Sequence, residues 1–213
     1  QLIIERDLRL LENYNTKYHI ALISSKKSLE IIKNAKDRGL KFTVGVSINN
    51  LSLNENDIGD FKTFLKLSPP LRSEEDRLAL IDGVKQGLIN VIVSDHKPED
   101  EESKRLTFQQ ATTGASGIES LLSLGLELVH NGSCDLNTLI NNLTSSPAKI
   151  LGIRNGTLSV GSEADIAVFD LDKPWVFKKE NIKSKSKNTA IEDRKLQGKV
   201  EKTFINGDLV FSE

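Results

Sequence analysis

The sequence predicts an α/β fold, parallel strand–helix units followed by a small β-rich appendage, and three observations carry that expectation. Short apolar strands at 18–24, 41–46 and 91–94 alternate with helical patterns at 26–38 and 73–86, and strands joined through helices pair in parallel. Val91, Ile92 and Val93 run without a polar break into the small Ser94, as in a strand covered on both faces. Beyond Gly152 the texture changes to glycine-punctuated β patterns, ADIAVFDL and VEKTFINGDLVF. The expected division is therefore 1–152 for the α/β part and 153–213 for the appendage.

Each element has a local reason. Gln1–Leu11 is an amphipathic helical pattern with no cap before it, and the chain contains no methionine; we read it as a piece of a longer protein. YHIALIS at 18–24 is a strand, and Leu29, Ile32 and Ala35 recur at helical spacing until Gly39 ends that helix. KFTVGV at 41–46 is the next strand, followed by a polar loop through Asn49, Asn50, Asn54, Asn56 and Asp57, and a brief extended piece at 66–70. The helix from Ser73 to Gln86 opens on SEED, a serine cap with three acids toward the positive end of the helix dipole. After the 91–94 strand come a charged loop at 99–105, a Gly114–Gly117 turn and an apolar helix at 118–130. Ser133 and Asp135 open a helix toward Asn142, and SSPAKIL at 145–151 forms another with an early proline. Asn206-Gly207 between apolar runs signals a hairpin turn.

Composition excludes several function classes. Charged residues are 28% of the chain and nearly cancel, to a formal −1, so no basic field argues for nucleic acid. Cys134 is the only cysteine, which rules out an internal disulfide or a thiolate metal cluster and suits a reducing compartment. No apolar run reaches the roughly twenty residues of a membrane span, and no signal-peptide layout opens the chain. The expectation is a cytoplasmic protein that binds neither nucleic acid nor membrane.

Chemistry concentrates where the 91–94 strand ends in Asp95 and His96. A carboxylate fixed there can bind a metal or take a proton from a metal-bound water. The same residue can equally cap the following turn.

Several segments coincide in order: RDL at 6–8, YHIALISS at 18–25, SPPLRSEEDR at 68–77, SDHKPED at 94–100, SSPAKILGI at 145–153, GTLSVGSEADIAVFD at 156–170 and SKSKNT at 184–189. Together they resemble dihydroorotase of the amidohydrolase superfamily, in the long form found alongside aspartate carbamoyltransferase. The resemblance implies that 1–152 is the C-terminal part of a (β/α)8 barrel and 153–213 part of a β-sandwich with closing segments. It further implies zinc, whose bound hydroxide and Lewis acidity interconvert N-carbamoyl-L-aspartate and L-dihydroorotate.

Residue by residue, the resemblance assigns Asp95 as catalytic acid and, if a metal is retained, as its ligand. The second histidine of the family's HxxH strand falls at Leu22, and His19 matches the first, non-ligating one. The family's paired histidines fall at Asn49 and Asn50, and carboxamides are poor substitutes for imidazole at zinc. Substrate positions fall at Ser68, where the family has asparagine before PPLR, at Glu99, where it has the histidine after DHAP, and at Thr113 and Gly114. Arg72, Glu74, Asp76 and Arg77 match too, but such a charge set also serves helix starts and inter-helix pairs, as Gly114 and Gly117 also serve tight packing.

The resulting expectation is a dihydroorotase-like pseudoenzyme of pyrimidine biosynthesis with zinc absent or incomplete in this chain, kept as a scaffold for aspartate carbamoyltransferase. Without metal, Asp95 is expected to bond backbone amides and His96. The alternative is an active zinc-dependent dihydroorotase. Further expected partners are the missing N-terminal half or a second chain, and a homo-oligomer.

Overall fold

The computed structural model describes residues 1–14 and 16–213. Its first layer is a three-stranded parallel sheet in the order β1-β2-β3, from β1 (His19–Ile23), β2 (Thr43–Ser47) and β3 (Val91–Val93). The registers His19↔Thr43 and Gly45↔Val91 place all three strands with their carboxyl ends on one side. The connections explain the parallel pairing, because each crosses back through a helix.

Helix α1 (Leu2–Leu11) leads into β1, and helix α2 (Lys26–Asp37) follows it. The Ser25 side chain caps α2 by accepting from the Ser28 amide, and Leu29, Ile32 and Ala35 form its buried stripe. Helix α4 (Glu74–Lys85) precedes β3; Ser73 caps it, three acids fill its first turn, and Leu80, Ile81 and Val84 face inward. Val44 and Val46 on β2 are completely buried, as is Ile32 of α2 opposite them in the same core. Within the described residues this is a mixed α/β domain consistent with part of a barrel.

Two segments differ from the sequence reading. Residues 48–52, expected to be polar loop, form helix α3 (Ile48–Ser52), started by the Ser47 hydroxyl accepting from the Asn49 amide. Ile48 and Leu51, three apart, are wholly buried and draw the turn into the core, overriding the low helix preference of the asparagines. The charged loop at 99–105 contains a short helix α5 (Glu101–Lys104) capped by Asp100, and Lys104 is buried.

The remaining elements close the domain. Helix α6 (Leu121–His130) starts three residues later than its apolar run, because Ile118 stays exposed while 114–117 run extended beside β3's exit. Helices α7 (Leu136–Leu143) and α8 (Ser145–Leu151) pack together, with Asp135 capping α7 and Gly152 ending α8 in the left-handed region. Strands β4 (Ile166–Val176), β5 (Lys195–Ile205) and β6 (Asp208–Ser212) form an antiparallel sheet. Its β5–β6 hairpin turns at Asn206 and Gly207, both with positive φ (51° and 89°), as a two-residue turn of this twist requires. Between β4 and β5 the chain returns to the main domain, where Phe177, Ile182 and Ile191 join the same core as the parallel sheet. The sheet lies on α6: the Ser123 hydroxyl donates to the Gly198 carbonyl at 2.7 Å.

Candidate functional site

The carboxyl ends of β1, β2 and β3 deliver Leu22, Asn49 with Asn50, and Asp95 to one side of the parallel sheet. That is the side on which barrel enzymes carry their chemistry. The Asp95 backbone is left-handed, φ 48°, a conformation that few non-glycine residues adopt and that functional sites favour. Its side chain is only 7% exposed and its Oδ1 lies 3.2 Å from the Lys97 ammonium. The same ammonium donates to the Ser68 carbonyl at 3.0 Å.

This corrects the expectation that Asp95 would bond backbone amides and His96. His96 instead faces the following loop, where its Nδ1 accepts from the Gly117 amide at 3.1 Å. That bond fixes the orientation of the ring, with Nδ1 as the acceptor. The loop is held close because a side chain is sterically impossible at two places. A Cβ on Gly117 would meet the Ser94 carbonyl at 2.6 Å, and one on Gly114 (φ 144°) would meet the Lys97 carbonyl at 2.6 Å. The two glycines thus permit close backbone approach, and the Lys97 amide donates to Ala115 across the gap.

The other family-matched positions do not gather around Asp95. Ser68 is exposed and reaches it only through Lys97. Thr113 is exposed, and Gly114 is bonded through its amide to Lys66 and through its carbonyl to Asn188. Glu99 lines a cavity of about 600 Å³ with Phe64, Lys179 and Ser184–Asn188, a cavity that Asp95, Ser68 and Gly114 do not line. His19 is held by Thr43, Nδ1 to Oγ1 at 2.7 Å, and burial pushes its pKa below the usual imidazole value.

The charged run 72–77 is engaged in local structure. Arg77 forks onto Glu74 at 2.5 and 2.7 Å and also donates to the Leu51 carbonyl, while Arg72 donates to Ser24. Asp76 accepts from the Ser73 hydroxyl and the Lys26 amide, joining α4 to α2.

Sequence reasoning missed the lysines of this region. Lys97 is the one residue of DHKP that departs from the family's DHAP, which was the available signal. Lys104 donates to the Thr63 and Thr112 carbonyls and Lys66 to those of Gln109 and Ala111. Three ammonium groups thereby fasten the 97–114 loop to segment 63–68. Nothing in a charge run announces that arrangement.

The donors present in this chain do not fit a zinc ion by themselves. Leu22 has no lone pair, and Asn49 and Asn50, each 3% exposed, offer carboxamides in place of nitrogen ligands. Asp95 already faces a cation. Among the described residues no group of three or more histidine, cysteine or acidic side chains is arranged to hold a metal. Two amide atoms here have no hydrogen-bond partner, Nδ2 of Asn49 and Oδ1 of Asn50, so these carboxamides are imperfectly accommodated where they stand. No helix among the described residues is long and apolar enough to cross a membrane.

Comparison with known proteins follows the same lines. The model of the amidohydrolase family matches residues 6–210. A dihydroorotase of Ehrlichia chaffeensis is 41% identical over 211 residues, covering 99% of this chain and 47% of that protein. Among solved structures, an L-hydantoinase (dihydropyrimidinase) from Arthrobacter aurescens superposes with a TM-score of 0.93 at 27% identity, over 98% of this chain and 48% of that one. The inactive dihydroorotase-like domain of a Chaetomium thermophilum CAD-like multifunctional protein matches with a TM-score of 0.72 at 20% identity, over 95% and 53%, which speaks for the fold alone. The chain thus spans about half the length of the relatives it matches.

Proposed function

The chain belongs to the amidohydrolase family, and from that premise we propose that it is part of a dihydroorotase-like protein whose metal centre is degenerate. The observation that carries the reading is the pair of replacements at the ends of β1 and β2: leucine at 22 and asparagines at 49 and 50, where the dihydroorotase pattern has histidines. A hydroxide at neutral pH requires a metal held by imidazole or carboxylate donors, and these positions no longer provide them. Lys97 beside Asp95 supports the same conclusion, since it brings a positive charge to the place of a cation.

On this reading the protein is retained for assembly, with aspartate carbamoyltransferase as the partner that the dihydroorotase resemblance implies. Glu99, an anion at a position where the resemblance has a histidine, argues against binding a dicarboxylate there. Cytoplasmic residence and the sandwich nature of the C-terminal sheet belong to the same proposal.

A second reading, an active zinc-dependent dihydroorotase, is favoured by one observation: the 41% identity to a protein of that name across nearly the whole chain. One experiment separates them. The full-length protein is analysed for zinc and assayed for cyclisation of carbamoyl aspartate at mildly acid pH. We expect less than a tenth of a zinc per chain and no turnover, roughly as loss of imidazole donors predicts; stoichiometric zinc with turnover would establish the enzyme instead. Co-elution with aspartate carbamoyltransferase tests the assembly role, and separate elution counts against it.

A further inference from the structure

We propose that Lys97 is a tethered replacement for the metal cation at Asp95, an internal ammonium that neutralises the strand-end carboxylate and ties it to the segment before Pro69. The inference rests on the degenerate-centre reading and goes one step beyond it, from which ligands are gone to what now stands in the metal's place.

The geometry is specific. Asp95 leaves β3 in a left-handed conformation with its side chain only 7% exposed, and a buried carboxylate is costly unless a positive charge pairs with it. Among the described residues Lys97 is the only cationic side chain within 4 Å of it. The ammonium does not merely lean on the carboxylate. It lies 3.2 Å from Asp95 Oδ1 and 3.0 Å from the Ser68 carbonyl oxygen, so one charged group joins the metal-ligand position to a substrate position of the dihydroorotase pattern. Its own backbone is held by the bond to Ala115, and it packs so closely on Gly114 that a side chain there would collide with the Lys97 carbonyl and Cβ. The side chain is half exposed, as expected of a lysine whose stem spans from the surface to a buried partner.

The consequence is asymmetric, and the asymmetry is the test. Removing Lys97 leaves a buried charge unmatched, whereas removing the charge of Asp95 leaves an ammonium that can turn to water. In the full-length protein, Lys97→Ala should lower the melting temperature by about 4 °C or more, Asp95→Asn by less, and the double variant should melt above Lys97→Ala. Lys97→Arg should retain most of the parental stability. A double variant that melts at or below Lys97→Ala would overturn the assignment. Should Asp95→Asn fail to fold, ethylammonium chloride provides the second measurement: it should raise the melting temperature of Lys97→Ala more than equimolar sodium chloride does, and equal effects would overturn the assignment. Zinc analysis on the same preparations keeps the two ideas apart. Stoichiometric zinc in the parental protein sinks both, while failure of the stability pattern in zinc-free protein sinks the role of Lys97 alone.

Discussion

Asn49 and Asn50 stand side by side in the core with unequal bonding. Asn50 donates to the Pro70 carbonyl at 3.1 Å, whereas the Asn49 amide nitrogen has no partner. A buried polar group without a partner costs about 1–3 kcal/mol, and replacing it by an apolar group of similar shape removes that cost. Asn49→Leu should therefore leave stability unchanged or raise it, and Asn50→Leu, which gives up the Pro70 bond along with its own orphaned Oδ1, should be the less stable of the two; urea melts of the two variants check the contrast. Glu74 offers a pH prediction with a defined sign. The Arg77 fork, followed by the Asn54 amide, holds its carboxyl down to about 2 from an ordinary 4.5. Its folded-state pKa is depressed, so its contribution is fully present above pH 4.5 and is lost as pH falls toward 2. Because the Glu74 side chain is 46% exposed, solvent screening keeps that contribution to about 0.5–1 kcal/mol. Glu74→Gln should be less stable than the parent at pH 7, and the difference should shrink as pH is lowered from 4.5 toward 2, as thermal melts across that range would reveal.

At the scale of elements, caps and close contacts set the tolerances. The Ser73 hydroxyl accepts from the Asp76 amide at 3.2 Å and donates to its carboxylate, so Ser73→Ala should cost about 1 kcal/mol, readable in the same melts. Gly198 on β5 has φ 89°, and a side chain there would collide with Leu126 of α6. Gly198→Ala should cost about 2 kcal/mol or more, and Leu126→Ala in the same chain should relieve only the collision and not the backbone strain. The legibility of these elements varied for physical reasons. Helix α2, helix α4 and strand β3 were readable because period and caps agree: Leu29, Ile32 and Ala35 follow Ser25, and three acids follow Ser73. Helix α3 was not, since Asn49 and Asn50 look like loop until Ile48 and Leu51 are seen to be buried. Of the site, Asp95, Leu22 and the two asparagines were recognisable by pattern. The Lys97 contact was not, because it depends on the Gly114–Gly117 segment lying against the strand exit, a tertiary fact without local periodicity.

The whole molecule combines a well-filled parallel layer with an under-covered antiparallel one. Leu209, Val210 and Phe211 on β6 are 53%, 55% and 43% exposed, and both faces of that edge strand carry apolar side chains. Such an edge invites association unless another segment covers it. Val210→Lys should reduce concentration-dependent light scattering of the chain by itself, and an unchanged signal would place the sticky surface elsewhere. The lysines that fasten the 97–114 loop lead to a last consequence. Lys104 is 2% exposed, its ammonium is occupied by two carbonyls, and burial pushes its pKa down. An acylating reagent reaches an amine only when it is free and solvated, so Lys104 can be labelled only while the loop is lifted off. Its labelling rate in a mass-spectrometric footprint, set against that of exposed Lys202, is then a clock for loop opening, and it should slow when a partner clamps the loop shut.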